Sequence, residues 1–563
     1  MDHPEPYHVE DFTITRREPN LADAAEGGTL ERGLAVLRAV AADPGSRLRR
    51  GDLAKATGLP RATADRITAT LLRLGHLRAE GPDVALGLRA MALGNAYLAS
   101  CGLVGPAAPV LARLADELDE SVTLAVPDPD GARLVAQSTR RRAVYLAFHV
   151  GDVLPADRTA AGVALAADWD EERFESWRHR HTADPLDAGF PAVPPLAAPL
   201  TDREAVFRDR VATARARGWA LDDQWVEPGL LAVAAPVTGG AGRSVAAISV
   251  LTHTSRDLDV PGAVLPRLHA AVPELEDALR LPRPAATSAG SAPAAEVVRS
   301  AKDEVGMGFL ETLARGLAVV EAFRHAPDGL TASAAAELTG LPRATAGRAL
   351  QVLRDTGHAT NGGGRFALLP AVLDLGYARL SRLTLADLAQ PRLADLAAEL
   401  GESVSMAVLD GDHVRYVARA AATRVMRVDI SIGTRFPAHA TSMGRVLLAD
   451  LPAAERAPLL RRAERLTRHT TVGEPALQAA LDEVAGRGWA LVEEELHEGL
   501  RSLAVGVRDR SGRVVAALNT ALHVGGAQPE ETVARLLPAL RRTVALVEAD
   551  LALAFDQAPL VVH

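Results

Sequence analysis

Cysteine is nearly absent from this sequence, since Cys101 is the only one among 563 residues. A disulfide within the chain is therefore impossible, and we expect no metal site built on cysteine. Aromatic residues make up 4% of the chain, which argues against nucleic-acid binding through a platform of stacked rings. The Gly-rich segment TNGGGRF lacks the Lys-Ser/Thr pair of a phosphate-binding loop, so we expect no nucleotide and no other cofactor.

Long apolar runs are also missing. No apolar stretch of roughly eighteen residues occurs, which is the length that a membrane-spanning helix needs. The start, MDHPEPYHVEDFTITRREPN, is polar and acidic and lacks the apolar core of a signal peptide. We therefore expect a cytoplasmic protein that does not contact a membrane.

The sequence is a tandem repeat. The heptapeptide GLPRATA occurs at 58–64 and again at 340–346, an offset of 282 residues. LERGLAVLRAV at 30–40 likewise matches LARGLAVVEAF at 313–323. Other matches in the same order are LGH with TGH, ESV with ESV, PAD-TAAG with PAH-TSMG, and RGWAL with RGWAL. The RGWAL offset is 270, so copy one carries about a dozen extra residues within a duplicated unit of roughly 250 residues.

The start of each copy has the pattern of a helix-turn-helix. In copy two, apolar residues at spacings of three and four predict a helix over 310–325. A short helix with Thr331 as N-cap follows at 331–340, and Pro342 suits the first turn of a third helix over about 343–356. The next segment, HATNGGGRFALLP, is strand, glycine turn and strand, which is typical of a β-wing.

The third helix has an arginine-rich outer face in both copies. Such a helix fits the major groove of DNA, about 12 Å wide, where arginine reaches guanine edges and phosphates. The candidate DNA-binding residues are Arg61, Thr63, Arg66 and Arg73 in copy one, and Arg343, Thr345, Arg348 and Gln351 in copy two. The alternative is a small helical bundle with a solvated arginine face, and the repetition of the pattern favours DNA. Because the net charge is −9, positive charge for phosphate must come from a local basic surface.

An α+β domain follows each wing. A connecting helix is expected at 89–100 and 371–381, and a second helix at 105–119 and 384–400. Strands separated by Gly- and Asp-rich turns then indicate an antiparallel β-meander. They are SVTLAVPD, ARLVAQST and AVYLAFHV in copy one, SVSMAVLD, HVRYVARA and MRVDISI in copy two, and later RSLAVGVRD and VVAALNTAL, before a closing helix at 529–555.

The order of these parts resembles the IclR family of bacterial regulators. In copy two, TSMGRVLLA (441–449), EEELHEGLRSLAVGVRDRSGRVVAALN (493–519) and RGWA are similar to the branch that controls aromatic-acid catabolism through the β-ketoadipate pathway. The resemblance implies a GAF-like domain that binds a small carboxylate effector, and oligomers of paired units. Most members have one unit per chain, so the tandem fusion is a departure.

With this resemblance, the predicted organisation is two tandem winged helix-turn-helix and GAF-like units. The segments are a disordered arm (1–25), winged helix-turn-helix 1 (26–90), GAF-like effector domain 1 (91–281), a linker rich in Pro, Ala, Ser and Gly (282–306), winged helix-turn-helix 2 (307–371) and GAF-like effector domain 2 (372–563).

The resemblance also implies an effector pocket in copy two. Its residues would be Thr441, Ser442, Met443, Gly444, Arg501, Ser502 and Asn519. Backbone N–H groups at the helix start near 441–444 attract an anion, and Arg501 could pair with a carboxylate through two hydrogen bonds. The alternative is that Ser442 caps a helix and Arg501 is a surface strand residue.

Copy one differs at these positions. Ala160 and Ala161 replace Ser442 and Met443, and Leu231 and Ala232 replace Arg501 and Ser502. An anion would find fewer partners there. We therefore expect effector domain 1 to be degenerate or to bind something less polar.

Together these features predict a sequence-specific DNA-binding transcriptional regulator controlled by a small aromatic or dicarboxylic acid. Its expected partners are double-stranded operator DNA, the carboxylate effector and a second chain, in a dimer of tandem chains. The alternative is a small-molecule hydrolase or binding protein whose helix-turn-helix only packs. ATSMG (440–444) is a near miss of a nucleophile elbow, but its first glycine is absent, so we expect no enzymatic activity.

Overall fold

The computed structural model describes residues 27–43, 45–129, 131–140, 148–240, 242–256, 259–281, 308–422, 430–525 and 528–556. It contains two compact units, Met1–Arg382 and Leu383–His563. The expected arm at 1–25, the linker at 282–306 and most of the expected strands AVYLAFHV and MRVDISI lie outside the described residues.

The first unit holds copy one and the winged domain of copy two. Its helices are α1 (Thr29–Ala42), α2 (Arg50–Thr57), α3 (Arg61–Arg73), α4 (Met91–Ser100), α5 (Val104–Leu118), α6 (Ala160–Leu165), α7 (Glu171–Ala183), α8 (Arg203–Arg217), α9 (Leu265–Arg280), α10 (Glu311–Ala322), α11 (Ala332–Thr339), α12 (Arg343–Asp355) and α13 (Tyr377–Leu380). Its strands are β1 (Arg47–Arg49), β2 (Leu77–Glu80), β3 (Asp83–Leu86), β4 (Ser121–Asp128), β5 (Gly131–Ser138), β6 (Val153–Pro155), β7 (Ala220–Asp223), β8 (Leu230–Thr238), β9 (Ser244–His253), β10 (Ala359–Gly362) and β11 (Arg365–Leu368).

The second unit holds the sensor domain of copy two. Its helices are α14 (Leu385–Leu400), α15 (Ser442–Asp450), α16 (Ala453–Leu460), α17 (Glu474–Arg487) and α18 (Pro529–Ala554). Its strands are β12 (Ser403–Asp410), β13 (His413–Ala420), β14 (Arg435–Pro437), β15 (Trp489–Glu493), β16 (Leu500–Arg508) and β17 (Val514–His523).

Both copies begin with a winged helix-turn-helix, as the sequence predicts. The Thr331 side chain caps α11 by accepting the Ala334 N–H at 3.2 Å, and α12 begins directly after Pro342. Strands β2 and β3 pair as one wing, and β10 and β11 as the other. In copy one, β1 adds a third strand to the wing.

The two winged domains pack against each other through α1 and α10 within the first unit. A Cβ on Gly33 would come within 2.2 Å of Leu313, and one on Gly316 within 2.6 Å of Leu30. Leu30 and Leu313 are equivalent in the repeat, as are Gly33 and Gly316. The contact is therefore isologous: each helix inserts the same leucine against the same glycine of the other.

Each sensor domain is built on one antiparallel sheet of six strands. The strand orders are β6-β5-β4-β9-β8-β7 and β14-β13-β12-β17-β16-β15. The prediction of a simple meander is wrong in detail, because the early strand β12 pairs with the last strand β17. The short strands β7 and β15, which follow the RGW segments, are additional to those predicted from sequence.

The connecting segment of copy two differs from the single helix expected at 371–381. It consists of a 3-10 turn at Pro370–Leu375 and the short α13. Gly376 separates them with φ of 125°, a conformation that only glycine adopts readily.

The connecting segment of copy two packs against effector domain 1. The Arg133 side chain, with 2% of its surface exposed, donates to Asp374 at 2.6 Å and to Asp128 at 2.6 Å. Asp152 accepts from Arg382 at 2.7 Å, and the Ser381 hydroxyl donates to a main-chain carbonyl of the same domain at 3.0 Å. The connector is thus fixed by ion pairs as well as by its own turns.

Within the described residues, no single helix has the length and apolarity to cross a membrane. One pair of helices, Leu88–Ser100 with Val104–Leu118, meets the criterion only when joined, and it is bent by 84°.

Candidate functional site

The outer faces of α3 and α12 are open to solvent. Arg61 and Arg66 are exposed on α3, and Arg343 and Arg348 on α12. Among the described residues, none of these four arginines forms an ion pair or a side-chain hydrogen bond. Their guanidinium groups are therefore available to phosphate oxygens and base edges.

The remaining predicted DNA-binding residues lie on the same two helices. Arg73 and Gln351 are exposed, whereas Thr63 and Thr345 are partly buried in the first turn. The structure thus brings each predicted set together on one helix, with the apolar stripe of Ile67 and its neighbours on the other side.

Charge is distributed unevenly along the chain. Residues 26–90 hold 11 Lys and Arg against 7 Asp and Glu, and residues 307–371 hold 6 against 5, within a chain whose net charge is −9. Both winged segments are therefore net positive. The excess is four charges in copy one and one in copy two, so the positive charge for phosphate is supplied by the exposed arginines of α3 and α12.

The sensor domain of copy two contains a cleft between the sheet and the start of α15. The cleft is lined by Tyr416, Ile430, Ala440, Thr441, Val492, Leu496, Leu500, Ser502, Asn519 and Ala521. Apolar walls with a few hydroxyl and amide groups are typical of sites for small-molecule ligands.

Three of the predicted effector residues, Thr441, Ser502 and Asn519, line this cleft. The Thr441 side chain also caps α15 by accepting the Gly444 N–H at 3.0 Å. Gly444 is required for packing, because a Cβ there would lie 2.0 Å from a carbonyl oxygen. Met443 is buried in the core behind the cleft.

Ser442 is fully buried at the start of α15. Its Oγ has no hydrogen-bond partner among the described residues. The neighbouring His439 does not activate it, because the His439 Nε2 interacts with the Glu464 carbonyl at 2.9 Å. The near miss of a nucleophile elbow therefore lacks the serine–histidine contact that a hydrolase needs.

Arg501 does not reach the cleft, which corrects the prediction that it meets the effector. Neighbouring residues of a strand point to opposite faces of the sheet, so Ser502 faces the cleft and Arg501 faces α18. There Arg501 donates to Glu493 at 2.9 Å and to Thr532 at 2.8 Å. Its role is to join β15 and β16 to the closing helix.

Arg419 lies on the same face of the sheet as the cleft residue Asn519, and the sequence did not single it out. Ser405 pairs in register with Arg419 on one side and with Asn519 on the other, so the three side chains share a face. The Arg419 guanidinium donates to the carbonyl of Ile430, a residue of the cleft wall. The register with β12 is the signal that identifies it, and copy one has Gln137 at the equivalent position.

The cleft also contains a phenol. Burial raises the pKa of Tyr416 to about 12. The hydroxyl therefore stays protonated at neutral pH and can donate a hydrogen bond.

In copy one, a buried arginine takes the place of a cleft residue. Arg158 is equivalent to Ala440 and has 2% of its surface exposed. Its guanidinium donates to the Val226 carbonyl at 2.9 Å and to Asp187 at 3.2 Å. Because Val226 is equivalent to Leu496 of the cleft wall, Arg158 ties together residues that form an opening in copy two.

Other partners of Arg158 lie between α7 and α8, in a segment that is longer than the equivalent segment between α16 and α17. Asp187 lies in this segment, as does Pro194, whose carbonyl accepts from Arg158 at 3.1 Å. Asp187 also accepts from Arg203 at 2.8 Å, and Arg203 binds Asp157 at 2.9 Å. Two arginines and two aspartates, all buried, thus balance their charges in one network.

The opposite wall of copy one is polar as well. Asp222 is equivalent to Val492 of the cleft and has 1% of its surface exposed. Burial raises its pKa to about 6, against hydrogen bonds from the Trp225 and Val226 N–H groups that lower it. A carboxyl group there disfavours an anionic ligand.

Two family profiles match the chain, and each matches twice. The helix-turn-helix domain of IclR matches residues 29–81 and 312–361. The C-terminal domain of the bacterial transcriptional regulator IclR matches residues 95–275 and 377–548.

Several curated proteins are similar over one repeat unit. The Pca regulon regulatory protein of Pseudomonas putida is 43% identical over 235 residues, which is 41% of this chain and 81% of that protein. The p-hydroxybenzoate hydroxylase transcriptional activator of Acinetobacter baylyi is 34% identical over 242 residues, which is 42% of this chain and 89% of the activator.

Solved structures also match one unit at a time. A transcriptional regulator from Rhodococcus sp. RHA1 is 43% identical and covers 44% of this chain and 100% of its own, with a TM-score of 0.41.

Proposed function

The chain belongs to the IclR family of bacterial transcriptional regulators, and we propose from this premise that one polypeptide carries a complete DNA-binding pair and one working effector site. It is a DNA-binding regulator and not an enzyme. The observation that carries the proposal is the isologous packing of α1 on α10, which leaves both arginine faces exposed.

The proposed DNA contacts are the eight residues predicted on α3 and α12. A covalent pseudo-dimer of this kind suits an operator with two related half-sites, because each recognition helix enters one major groove. Residue 65 is Asp in copy one, whereas the equivalent residue 347 is Gly in copy two, so we infer that the two half-sites differ. We further propose that the chain has the six segments given above, that it is located in the cytoplasm, and that two tandem chains pair.

A gel shift with the DNA upstream of the protein's own gene tests the DNA contacts. Arg61→Ala and Arg343→Ala should each weaken binding by about 1–3 kcal/mol if they read bases. Binding should also weaken steeply with added salt. The matched control is Arg280→Ala, an exposed arginine at the end of α9; an equal loss in the control, or no loss in either variant, would contradict the proposed docking.

The proposed effector is a small aromatic acid bound in the cleft of copy two. The ring would lie on the apolar wall, hydroxyl substituents would meet Thr441, Ser502 and Asn519, and Arg419 would pair with the carboxylate. One relative is named as an activator of p-hydroxybenzoate hydroxylase, which makes p-hydroxybenzoate the first probe. Copy one, with Arg158, Asp222 and Gln137 at the equivalent positions, is proposed not to bind it.

Calorimetric titration of the full chain with p-hydroxybenzoate tests both parts of this assignment. We expect one site per chain, and Arg419→Gln should lower affinity by about 1.5–3 kcal/mol, the contribution of a charged hydrogen bond. Arg415→Gln is the matched control, because Arg415 lies on the same strand and is directed to the other face beside Asp410. Two equivalent sites, or an equal loss in both variants, would overturn the assignment.

A further inference from the structure

The contact between the winged domains is isologous in its apolar core but not in its charges. In the repeat, Arg38 is equivalent to Glu321, and Arg89 is equivalent to Ala371. Glu321 of copy two accepts from Arg89 of copy one at 3.0 and 2.5 Å. Arg38 of copy one contacts the buried His358 of copy two, with Nη2 and Nε2 2.9 Å apart.

Two other contacts use residues that have no chemical counterpart in the opposite copy. The Leu310 N–H donates to the Thr70 hydroxyl at 3.1 Å, whereas Val352, the equivalent of Thr70, has no acceptor in its side chain. Phe309 packs in a small cluster with Leu74, and the residues equivalent to these two are Glu26 and Thr356. The contact face of copy one therefore complements the contact face of copy two, whereas neither face complements a second copy of itself.

We propose that this difference in charge between equivalent residues makes the pairing specific: the contact face of copy one binds copy two of the same chain and rejects a second copy one. In a pair of two copies one, Arg38 and Arg89 from both sides would meet with no Glu321 between them. In a pair of two copies two, Glu321 would face Ala371 and lose its arginine. Like charges brought together, and partners lost, select against the wrong pairing.

Pairing within one chain is further favoured by the connection between the copies. The two copies are joined by the 25 residues of 282–306. A covalent connection makes their pairing an intramolecular step and raises the effective concentration of each partner. The α1–α10 contact would thus form within one chain before a second chain binds. This pairing does not depend on whether the proposed effector binds.

Disulfide trapping in the full chain tests which copies pair with each other. In a Cys101→Ser background, Leu30→Cys with Gly316→Cys reports pairing of copy one with copy two; shortening Leu30 removes the group that a Cβ at 316 would meet. Leu30→Cys with Gly33→Cys is the matched reporter for two copies one, with Leu313→Ala added because a Cβ at 33 would meet the Leu313 side chain. Under oxidation we expect the first variant to form an internal disulfide at all protein concentrations, and the second to form no covalent dimer.

Covalent dimers of the Leu30→Cys, Gly33→Cys variant would overturn the rejection of like copies, and covalent dimers of the first variant would overturn pairing within the chain. The charges are tested by adding Glu321→Arg to the first variant, which should slow trapping several-fold, and then Arg89→Glu, which should restore it. An unchanged rate with Glu321→Arg would show that charge does not select the partner. None of these measurements uses DNA, so they can fail while the gel shift succeeds.

Discussion

His76 lies at the contact between the winged domains with 2% of its surface exposed. Burial lowers its pKa to about 4, with Glu321 raising it and Arg89 lowering it. The unfolded chain takes up a proton near pH 6.5, whereas the folded imidazole stays neutral until about pH 4. The free energy of unfolding should therefore fall, by up to about 3 kcal/mol, as pH drops through this window.

Thermal unfolding of the wild type and His76→Gln between pH 7 and pH 4.5 measures this loss. We expect the wild type to lose more stability than the variant as the pH falls, because glutamine does not take up a proton. Parallel pH profiles of the two proteins would contradict the expected protonation behaviour of this side chain.

Single residues also mark what the sequence could and could not predict about the effector site. Thr441, Ser502 and Asn519 line the cleft, but Arg501 is the immediate neighbour of Ser502 and must face the other way. Arg419 is identified only by the register of β13 with β12. Arg158 could not be anticipated, because its partners Asp187 and Val226 lie 29 and 68 residues away in sequence.

At the scale of elements, helices and strands follow the sequence patterns closely. The segments SVSMAVLD and HVRYVARA are β12 and β13 without any shift in their ends. Periodicity and caps act over a few residues and can be recognised in one sequence. The packing of α1 on α10 and the fixing of the connector join residues more than 200 positions apart, and no local pattern indicates such contacts.

The connector between winged domain 2 and Leu383 is the covalent link from that winged domain to the sensor of copy two. Because Asp374 is held by the buried Arg133, we predict that Asp374→Asn loosens the connector while leaving the cleft intact. Effector affinity should stay the same, and the change in DNA affinity on adding p-hydroxybenzoate should shrink. The measurement is a gel shift with and without the acid.

The control for this prediction is Asp395→Asn, an exposed carboxylate on α14. It should leave the response of DNA binding to the acid unchanged. A full response in Asp374→Asn, with normal binding of the acid, would mean that the grip of effector domain 1 on the connector plays no part in signalling.

At the scale of the whole molecule, duplication has allowed the two copies to diverge. Copy one keeps its recognition helix, but its sensor contains the network of Arg158, Asp187, Arg203 and Asp157, in which Arg158 stands at the position of the cleft residue Ala440. Copy two has the cleft, and its connector packs against the sensor of copy one. In this chain the two halves differ in sequence and lie in one polypeptide.

Hydroxyl-radical footprinting on the upstream DNA tests most directly whether both recognition helices of one chain read DNA. The wild type should protect two half-sites about one helical turn apart. Arg61→Ala with Arg66→Ala should remove protection from one half-site, and Arg343→Ala with Arg348→Ala from the other. If both double variants lose the same half-site, or if both keep the full footprint, the two helices do not act as a pair on DNA and the account is wrong.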